Sequence, residues 1–178
     1  MSAPAKHSST GREQMLALLT RGLQEQIPMT KFLGISFVEF EPQRIVLMAP
    51  LGPSLNHRGT AFGPGVFTVA GLAPWLLLVR KTWSERLAVR ILLRRCEFAL
   101  HQPITSDYRA HCDSLPALDA DALHREGKAR VTATSHVLSK EGGPAATYTA
   151  HYTLLTQPTP DGTGEGDLRL PFPEEWRT

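Results

Sequence analysis

The hydrophobic positions of the chain first follow a helical spacing. Between residues 11 and 27, apolar side chains recur every three or four residues among polar ones, at Met15, Leu16, Leu18, Leu19, Leu23 and Ile27. This period predicts an amphipathic helix with one buried face. Pro28 is expected to end the helix, because the residue before a proline is disfavoured in helical geometry.

Apolar and polar positions then alternate, which is typical of strands. Ile35 to Phe40 and Arg44 to Ala49 form a predicted pair of strands joined by a turn at residues 41–43. Four further strands are predicted, at about 88–100, 104–114, 129–140 and 145–157. The segment 115–128 fits a short helix or a surface loop, and both interpretations stay open.

Residues 62–83 are apolar on nearly every side, which predicts a helix that is buried nearly all round. Small residues at 65, 70 and 71 allow another backbone to approach one side of the helix closely. Pro74 is expected to bend the helix. The segment is barely long enough to span a membrane and contains Pro74, so a core helix of a globular protein is the preferred interpretation.

The order of these elements is one helix, two strands, a long buried helix and four strands. An antiparallel sheet of about six strands can curve around one central helix and bury it. The sequence therefore predicts an α+β chain with the hotdog fold and an additional N-terminal helix. Expected boundaries are a disordered segment at 1–10, the hotdog domain at 11–157 and a loosely ordered tail at 158–178.

Composition narrows the classes of partner. The chain has 178 residues, with 19 Lys and Arg against 17 Asp and Glu, and its net charge is +2. This balance favours neither a nucleic acid nor an anionic membrane surface as partner. Cys96 and Cys112 form no CxxC pair, the histidines show no metal-ligand spacing, and the N-terminus has no apolar signal segment. We expect free thiols, no metal, no cofactor and a cytoplasmic location.

Three segments, 26–37, 46–65 and 100–112, occur in an order that resembles the hotdog-fold thioesterases of the YiiD C-terminal-domain type. The loop "NHRGTAFGPG" at 56–65 is the specific part of this resemblance, which extends over about residues 23–155. By the resemblance, the loop residues Asn56, Gly59, Thr60, Phe62 and Gly63 match the family motif, and so do the strand residues Pro103, Asp107 and Ala110, with His101 near an aromatic position. Two departures are Ser54, where asparagine is more usual, and Pro64-Gly65 in place of Gly-Ser.

The loop also suggests its own chemistry, because it lies at the start of the predicted central helix. The first N–H groups of a helix are unpaired within it and lie at the positive end of its dipole. A thioester carbonyl placed there would gain oxyanion stabilisation. Gly63 is the predicted donor and Gly65 the reserve, since Pro64 has no N–H. Asn56 is expected to hold water or the carbonyl, and Thr60 to orient water or cap the helix.

The substrate-binding residues predicted beside this donor set are His57, Arg58, Phe62 and Gly65. His57 is also a weaker candidate for a general base. Between Phe62 and Ser84 there is no acidic residue, although many hotdog thioesterases carry a carboxylate on this helix. The sequence thus predicts a thioesterase for acyl-CoA or acyl-carrier substrates, and the resemblance implies that it acts as a homodimer or larger homo-oligomer. The alternatives are a non-catalytic protein that binds acyl thioesters or fatty acids, and a hotdog dehydratase.

Overall fold

The computed structural model describes residues 9–140, 143–157 and 170–174. The helices are α1 (Ser9–Gln26), α2 (Pro28–Phe32), α3 (Gly63–Ser84) and α4 (Ala120–Glu126). The strands are β1 (Ser36–Glu41), β2 (Arg44–Ala49), β3 (Val89–Leu100), β4 (Tyr108–Cys112), β5 (Lys128–Ser139) and β6 (Pro144–Thr156). A single 3-10 turn, Gly52–Ser54, lies between β2 and α3.

All six strands join one antiparallel sheet in the order β1-β2-β4-β5-β6-β3. The sheet curves around α3, so the predicted hotdog architecture is confirmed. Alternation decides which side chains face the helix: on β6, Tyr148, Ala150 and Tyr152 are buried, whereas Thr149 and His151 between them are partly exposed.

The central helix α3 is the core of the molecule. Leu76, Leu77 and Leu78 are fully buried, as expected for a helix that is apolar nearly all round. Within the described residues, α3 is the one helix long and apolar enough to cross a membrane, and 56% of its apolar window is buried inside the fold. Gly71 allows close packing, since a Cβ there would lie 3.2 Å from the ring of Tyr148. This burial favours the interpretation of residues 62–83 as a core helix over their interpretation as a membrane span.

Pro74 lies inside α3 and leaves a backbone acceptor for another group to use. A proline has no N–H, so the carbonyl of Ala70 four residues earlier lacks its helical donor. The hydroxyl of Ser135, which is fully buried on β5, donates to that carbonyl at 2.6 Å. A side chain of the sheet thus supplies the hydrogen bond that the Ala70 carbonyl lacks within the helix.

The two edges of the sheet differ. Along β1, α1 supplies side-chain partners for the strand backbone: the Phe37 N–H donates to Thr20 Oγ1 at 3.0 Å. On the same helix, Gln24 Nε2 donates to the Ile35 carbonyl at 3.0 Å. At the other edge, β3 pairs with β6 alone among the described strands. Among the described residues, the β1 edge is thus covered by α1, whereas the outer edge of β3 has no strand partner.

Two short helices complete the chain path. Pro28 ends α1 as expected, but it also begins α2, because proline suits the first turn of a helix. In the segment that fitted either a helix or a loop, α4 forms with Asp119 as its cap: Asp119 Oδ1 accepts from the Ala122 N–H at 2.8 Å.

The described part of the predicted tail, residues 170–174, packs on the domain. Leu170 is only 7% exposed, and the Phe172 ring stacks on Phe40 with centroids 5.6 Å apart. Phe172 also contacts Trp83 at the end of α3, at 4.9 Å between centroids. Residues 158–169 and 175–178 of the expected tail lie outside the described residues, as do residues 1–8 of the expected disordered N-terminus.

Candidate functional site

Three backbone N–H groups fix the loop before α3, two of them through hydrogen bonds to the segment before β4 and one within the loop itself. The Leu51 N–H donates to Asp107 Oδ1 at 2.9 Å, and the Ala61 N–H donates to the Ile104 carbonyl at 2.8 Å. The Phe62 N–H donates to the Ser54 carbonyl at 2.6 Å. Asp107 was singled out by its match to the family pattern, and the structure gives it this anchoring contact.

Asn56 closes the loop upon itself. Its Oδ1 accepts from the N–H groups of Arg58 at 2.8 Å and Thr60 at 3.2 Å, and its Nδ2 donates to Thr60 Oγ1 at 2.9 Å. A carbonyl oxygen has two lone pairs, so the acceptor capacity of this side chain is used within the loop. One Nδ2 hydrogen remains for a ligand. The Asn56 side chain therefore has one spare hydrogen-bond donor and no spare acceptor.

Gly59 and Thr60 set the shape of this turn. Gly59 adopts φ 75°, a left-handed conformation that favours glycine, and its N–H donates to the Asn56 carbonyl at 3.1 Å. Thr60 lies two residues before the N-cap, which is Phe62, and no side chain caps the helix. Since its Oγ1 accepts from Asn56, the Thr60 hydroxyl keeps its proton for another acceptor.

The first turn of α3 contains one N–H for which the described residues provide no acceptor, that of Gly63. Pro64 has none, and the N–H groups of Gly65 and Val66 both donate to the Phe62 carbonyl, at 2.9 and 3.1 Å. Gly65 thus has a packing role instead of the reserve-donor role expected for it: a Cβ there would lie 2.9 Å from the Ser54 Cβ. The Phe62–Gly63 peptide is trans, so the Gly63 N–H points in the opposite direction to the Phe62 carbonyl. Since that carbonyl faces into the helix, the Gly63 N–H points away from it.

Apolar side chains lie next to Gly63. Phe62 is 55% exposed, and Leu100 at the end of β3 approaches Gly63 so closely that a Cβ there would lie 3.3 Å from its methyl carbon. On the other side, Thr68 Oγ1 donates to the Pro64 carbonyl at 3.0 Å and Met29 of α2 packs beside it. His57 and Arg58 are both exposed at the turn. The Gly63 N–H thus lies between exposed or partly exposed apolar side chains of Phe62 and Leu100.

A buried polar pair lies behind the same turn, and the sequence interpretation did not assign it a role. Ser54 Oγ lies 3.2 Å from Tyr108 Oη, and both residues are buried. Burial raises the pKa of the Tyr108 phenol, and the hydrogen bond with Ser54 lowers it by less. The unusual serine at position 54 was the only signal for this pair, because Tyr108 lies 54 residues further along the chain.

The remaining titratable groups do not form a nucleophile or metal cluster at the loop. Cys112 is buried on β4, and desolvation raises the pKa of its thiol to about 12. His101 Nε2 lies 2.8 Å from Thr147 Oγ1 on β6, and Arg44 donates to His111 on β4 at 3.2 Å. Across the residues that the structure describes, no group of three or more His, Cys, Asp or Glu side chains could hold a metal.

Solved structures share this fold. A protein of unknown function from Chlorobaculum tepidum TLS has a TM-score of 0.70 at 23% identity, covering 82% of this chain and 97% of that one. A protein titled "putative thioesterase" from Shewanella oneidensis has a TM-score of 0.68 at 20% identity, covering 82% and 99%. The thioesterase HI1161 from Haemophilus influenzae has a TM-score of 0.66 at 13% identity, covering 82% and 93%.

The sequence itself matches one family model over residues 16–156, which includes the whole sheet, α3 and the loop that carries Asn56 and Gly63. The match extends over most of the chain, and it agrees with the resemblance carried by the loop motif. The chain therefore belongs to the family described as "Putative thioesterase (yiiD_Cterm)".

Proposed function

We propose that this protein hydrolyses acyl thioesters of coenzyme A or a carrier protein, with the thioester carbonyl bound at the N-terminus of α3. The free N–H of Gly63 carries this proposal. It points out of the helix, lies at the positive end of the helix dipole and is bordered by Phe62 and Leu100. A carbonyl oxygen that gains negative charge in the transition state is stabilised by such a donor.

The chemistry requires water to attack the carbonyl carbon, the C–S bond to break and the thiolate to leave with a proton. Gly63, the remaining Nδ2 hydrogen of Asn56 and the Thr60 hydroxyl are all donors, suited to the oxyanion and to orienting water. The removal of the proton from water needs a base. His57 is the one imidazole between residues 56 and 63, so we assign it that role in the proposal.

A comparison of Gly63→Pro with Gly63→Ala tests the donor directly. Proline at the first helical position removes the N–H but suits the backbone, since Phe62 already has the extended conformation (φ −71°, ψ 127°) that precedes proline. Alanine keeps the N–H and meets only the flexible Leu100 side chain. Measured by thiol release from a panel of acyl-CoA substrates, Gly63→Pro should lower kcat by about 10²–10³-fold. Equal activity of the two variants would rule out the donor.

A non-catalytic role in binding acyl thioesters is the second candidate function. It is favoured because Asn56 Oδ1 already accepts two hydrogen bonds within the loop and so cannot bind a water through that atom. It is also favoured because there is no acidic residue between Phe62 and Ser84. Equilibrium binding of an acyl-CoA, measured by calorimetry beside the thiol-release assay, separates the two functions. Saturable binding without thiol release across the panel would favour the binding protein.

We further propose that the working unit is a homodimer joined along β3, in the cytoplasm. The β1 edge is covered by α1, whereas the outer edge of β3 has no strand partner among the described residues. Some apolar side chains on the helix-facing side of β3 also remain exposed. Leu93 is 49% exposed, Leu100 is 51% exposed, and Phe67 on α3 is 38% exposed. A second copy that paired along β3 would satisfy the free backbone groups and bury this surface beside Gly63.

The oligomeric state can be tested with a matched pair of variants. Light scattering after size exclusion should give twice the 19.6 kDa chain mass for the wild type. Leu93→Lys should give a monomer, because it places a charge in the proposed interface. Leu18→Lys is the control, since Leu18 is 45% exposed on α1. A monomeric wild type would contradict the dimer.

A further inference from the structure

The buried hydroxyl pair of Ser54 and Tyr108 lies beneath the first turn of α3, among apolar groups. Ser54 is 5% exposed and Tyr108 is 1% exposed. A buried hydroxyl without a partner costs free energy, so each of these groups depends on a hydrogen bond. Ser54 Oγ reaches the Leu51 carbonyl at 3.3 Å and Tyr108 Oη at 3.2 Å. Both hydroxyls are satisfied when Ser54 donates to Leu51 and Tyr108 donates to Ser54.

Ser54 in turn contacts the helix start through two backbone features. Its carbonyl accepts from the Phe62 N–H at 2.6 Å, and its Cβ lies 2.9 Å from the position that a Cβ of residue 65 would have. A shift of Ser54 would therefore move Phe62 or open a gap beside Gly65. The residue connects Tyr108 on β4 with the first turn of α3.

Phe62 is consequently held on both sides of its backbone. Its N–H is fixed by Ser54, and its carbonyl accepts from the N–H groups of Gly65 and Val66. The carbonyl belongs to the same planar trans peptide as the Gly63 N–H. Rotation of this plane turns the carbonyl and the Gly63 N–H together, so the N–H groups of Gly65 and Val66 fix the plane. The Ser54 carbonyl fixes the preceding peptide, and with it the position of Phe62 from which the Gly63 N–H is directed.

We propose that the Ser54–Tyr108 pair positions the Gly63 N–H, and that Tyr108 is a positioning residue for the reaction at this site. The kinetic part of this inference rests on the proposed function. Removal of the Tyr108 hydroxyl leaves substrate contacts in place but lets the loop relax, so kcat falls more than KM changes. A small misplacement of a catalytic donor can cost up to about 10²-fold in rate, and we expect a loss of about tenfold for Tyr108→Phe.

The variants are chosen to keep the fold. Tyr108→Phe removes one oxygen and preserves the buried ring, and Ser54→Ala preserves the backbone carbonyl and the Cβ that contacts Gly65. Tyr152→Phe is the control, since Tyr152 is also buried but lies on β6. Because the two hydroxyls act together, the double variant should lose no more kcat than the more impaired single variant. If the losses of kcat in the two single variants add up in the double variant, the two hydroxyls act independently and the proposed Ser54–Tyr108 pair is wrong.

A second measurement is independent of turnover. In a ¹⁵N–¹H spectrum without substrate, Tyr108→Phe and Ser54→Ala should each shift the Gly63 amide resonance, and Tyr152→Phe should leave it in place. An unchanged Gly63 resonance in the first two variants would overturn the positioning role whatever the kinetics show. A wild type without thiol release would instead overturn the proposed function, and the Gly63 resonance alone would then decide the positioning of the donor.

Discussion

At the scale of single residues, Asn56 shows how the use of hydrogen bonds limits chemistry. Its Oδ1 already accepts from Arg58 and Thr60, so an activated water has no acceptor there. The remaining amide hydrogen is a donor, like the Gly63 N–H. The same side chain therefore stabilises the loop and offers one polar contact, and these two roles can be separated by substitution.

Asn56→Asp and Asn56→Ala make this separation. Aspartate still accepts from the Arg58 and Thr60 N–H groups, and the Thr60 hydroxyl can donate to it, so the free energy of unfolding should change little at pH 7. Alanine loses all three side-chain bonds and should cost ~1–2 kcal/mol. Both variants lose the amide donor and should lower kcat for thiol release. Unchanged turnover in Asn56→Ala would remove Asn56 from the site.

The position of Gly63 could be predicted from the sequence, because glycines before an apolar helical segment mark a helix N-terminus. The use of each donor could not. Whether the Gly65 N–H is free depends on the path of Phe62, and the partner of Ser54 lies on a strand 54 residues away. Such contacts follow from how β4 and the loop come together in space, and no spacing in the sequence shows them.

At the scale of elements, hydrophobic period was sufficient to predict the six strands and the central helix. The pattern does not predict the five-residue α2, because it assigns Pro28 only to the end of α1. Pro28 ends α1 because it disfavours helical geometry at the residue before it, and it begins α2 because its missing N–H and fixed φ suit the first turn of a helix. Pro74 shows another consequence of the missing N–H, since Ser135 supplies the donor to Ala70.

Ser135 and Pro74 should therefore be energetically coupled. Ser135→Ala leaves the Ala70 carbonyl buried without a donor and should lower the free energy of unfolding by about 1–3 kcal/mol. In a Pro74→Ala background the new N–H can donate to Ala70, so the same serine substitution should cost less. Urea unfolding of the wild type, both single variants and the double variant gives the coupling energy. Additive effects would contradict this explanation of Ser135.

At the scale of the whole molecule, His111 links stability to pH. Burial lowers the pKa of His111 most, the nearby Arg44 cation lowers it further, and Asp113 and Glu39 raise it by less. An unfolded histidine takes up its proton near pH 6.5, whereas folded His111 takes it up only at lower pH. The contribution of neutral His111 is therefore present above about pH 6.5 and is lost as the pH falls.

The variant His111→Gln does not titrate, so it isolates this contribution. The free energy of unfolding of the wild type minus that of His111→Gln should decrease from pH 8 to pH 5. Urea unfolding at several pH values measures the difference. Other groups affect both proteins alike, and a difference that stays constant across this range would contradict the assignment to His111.

The segment 170–174 packs against three elements that lie far before it in the sequence, α1, β1 and α3. Phe172 stacks on Phe40 of β1 and contacts Trp83 of α3, while Pro171 lies against Gly22 of α1, where a Cβ would be 3.0 Å away. The family match ends at residue 156, so this segment adds contacts beyond the matched part of the chain. We expect it to stabilise the packing of α1 on the sheet.

Phe172→Ala should accordingly lower the free energy of unfolding by about 1–3 kcal/mol, less than for a fully buried phenylalanine because the ring is partly exposed. Phe32→Ala is the matched control: Phe32 is 73% exposed on α2, and its loss should change stability by less than about 0.5 kcal/mol. Amide exchange should also be faster in α1 of Phe172→Ala, and its α3 amides should keep their protection. Equal stability of the two variants would show that the segment does not hold α1.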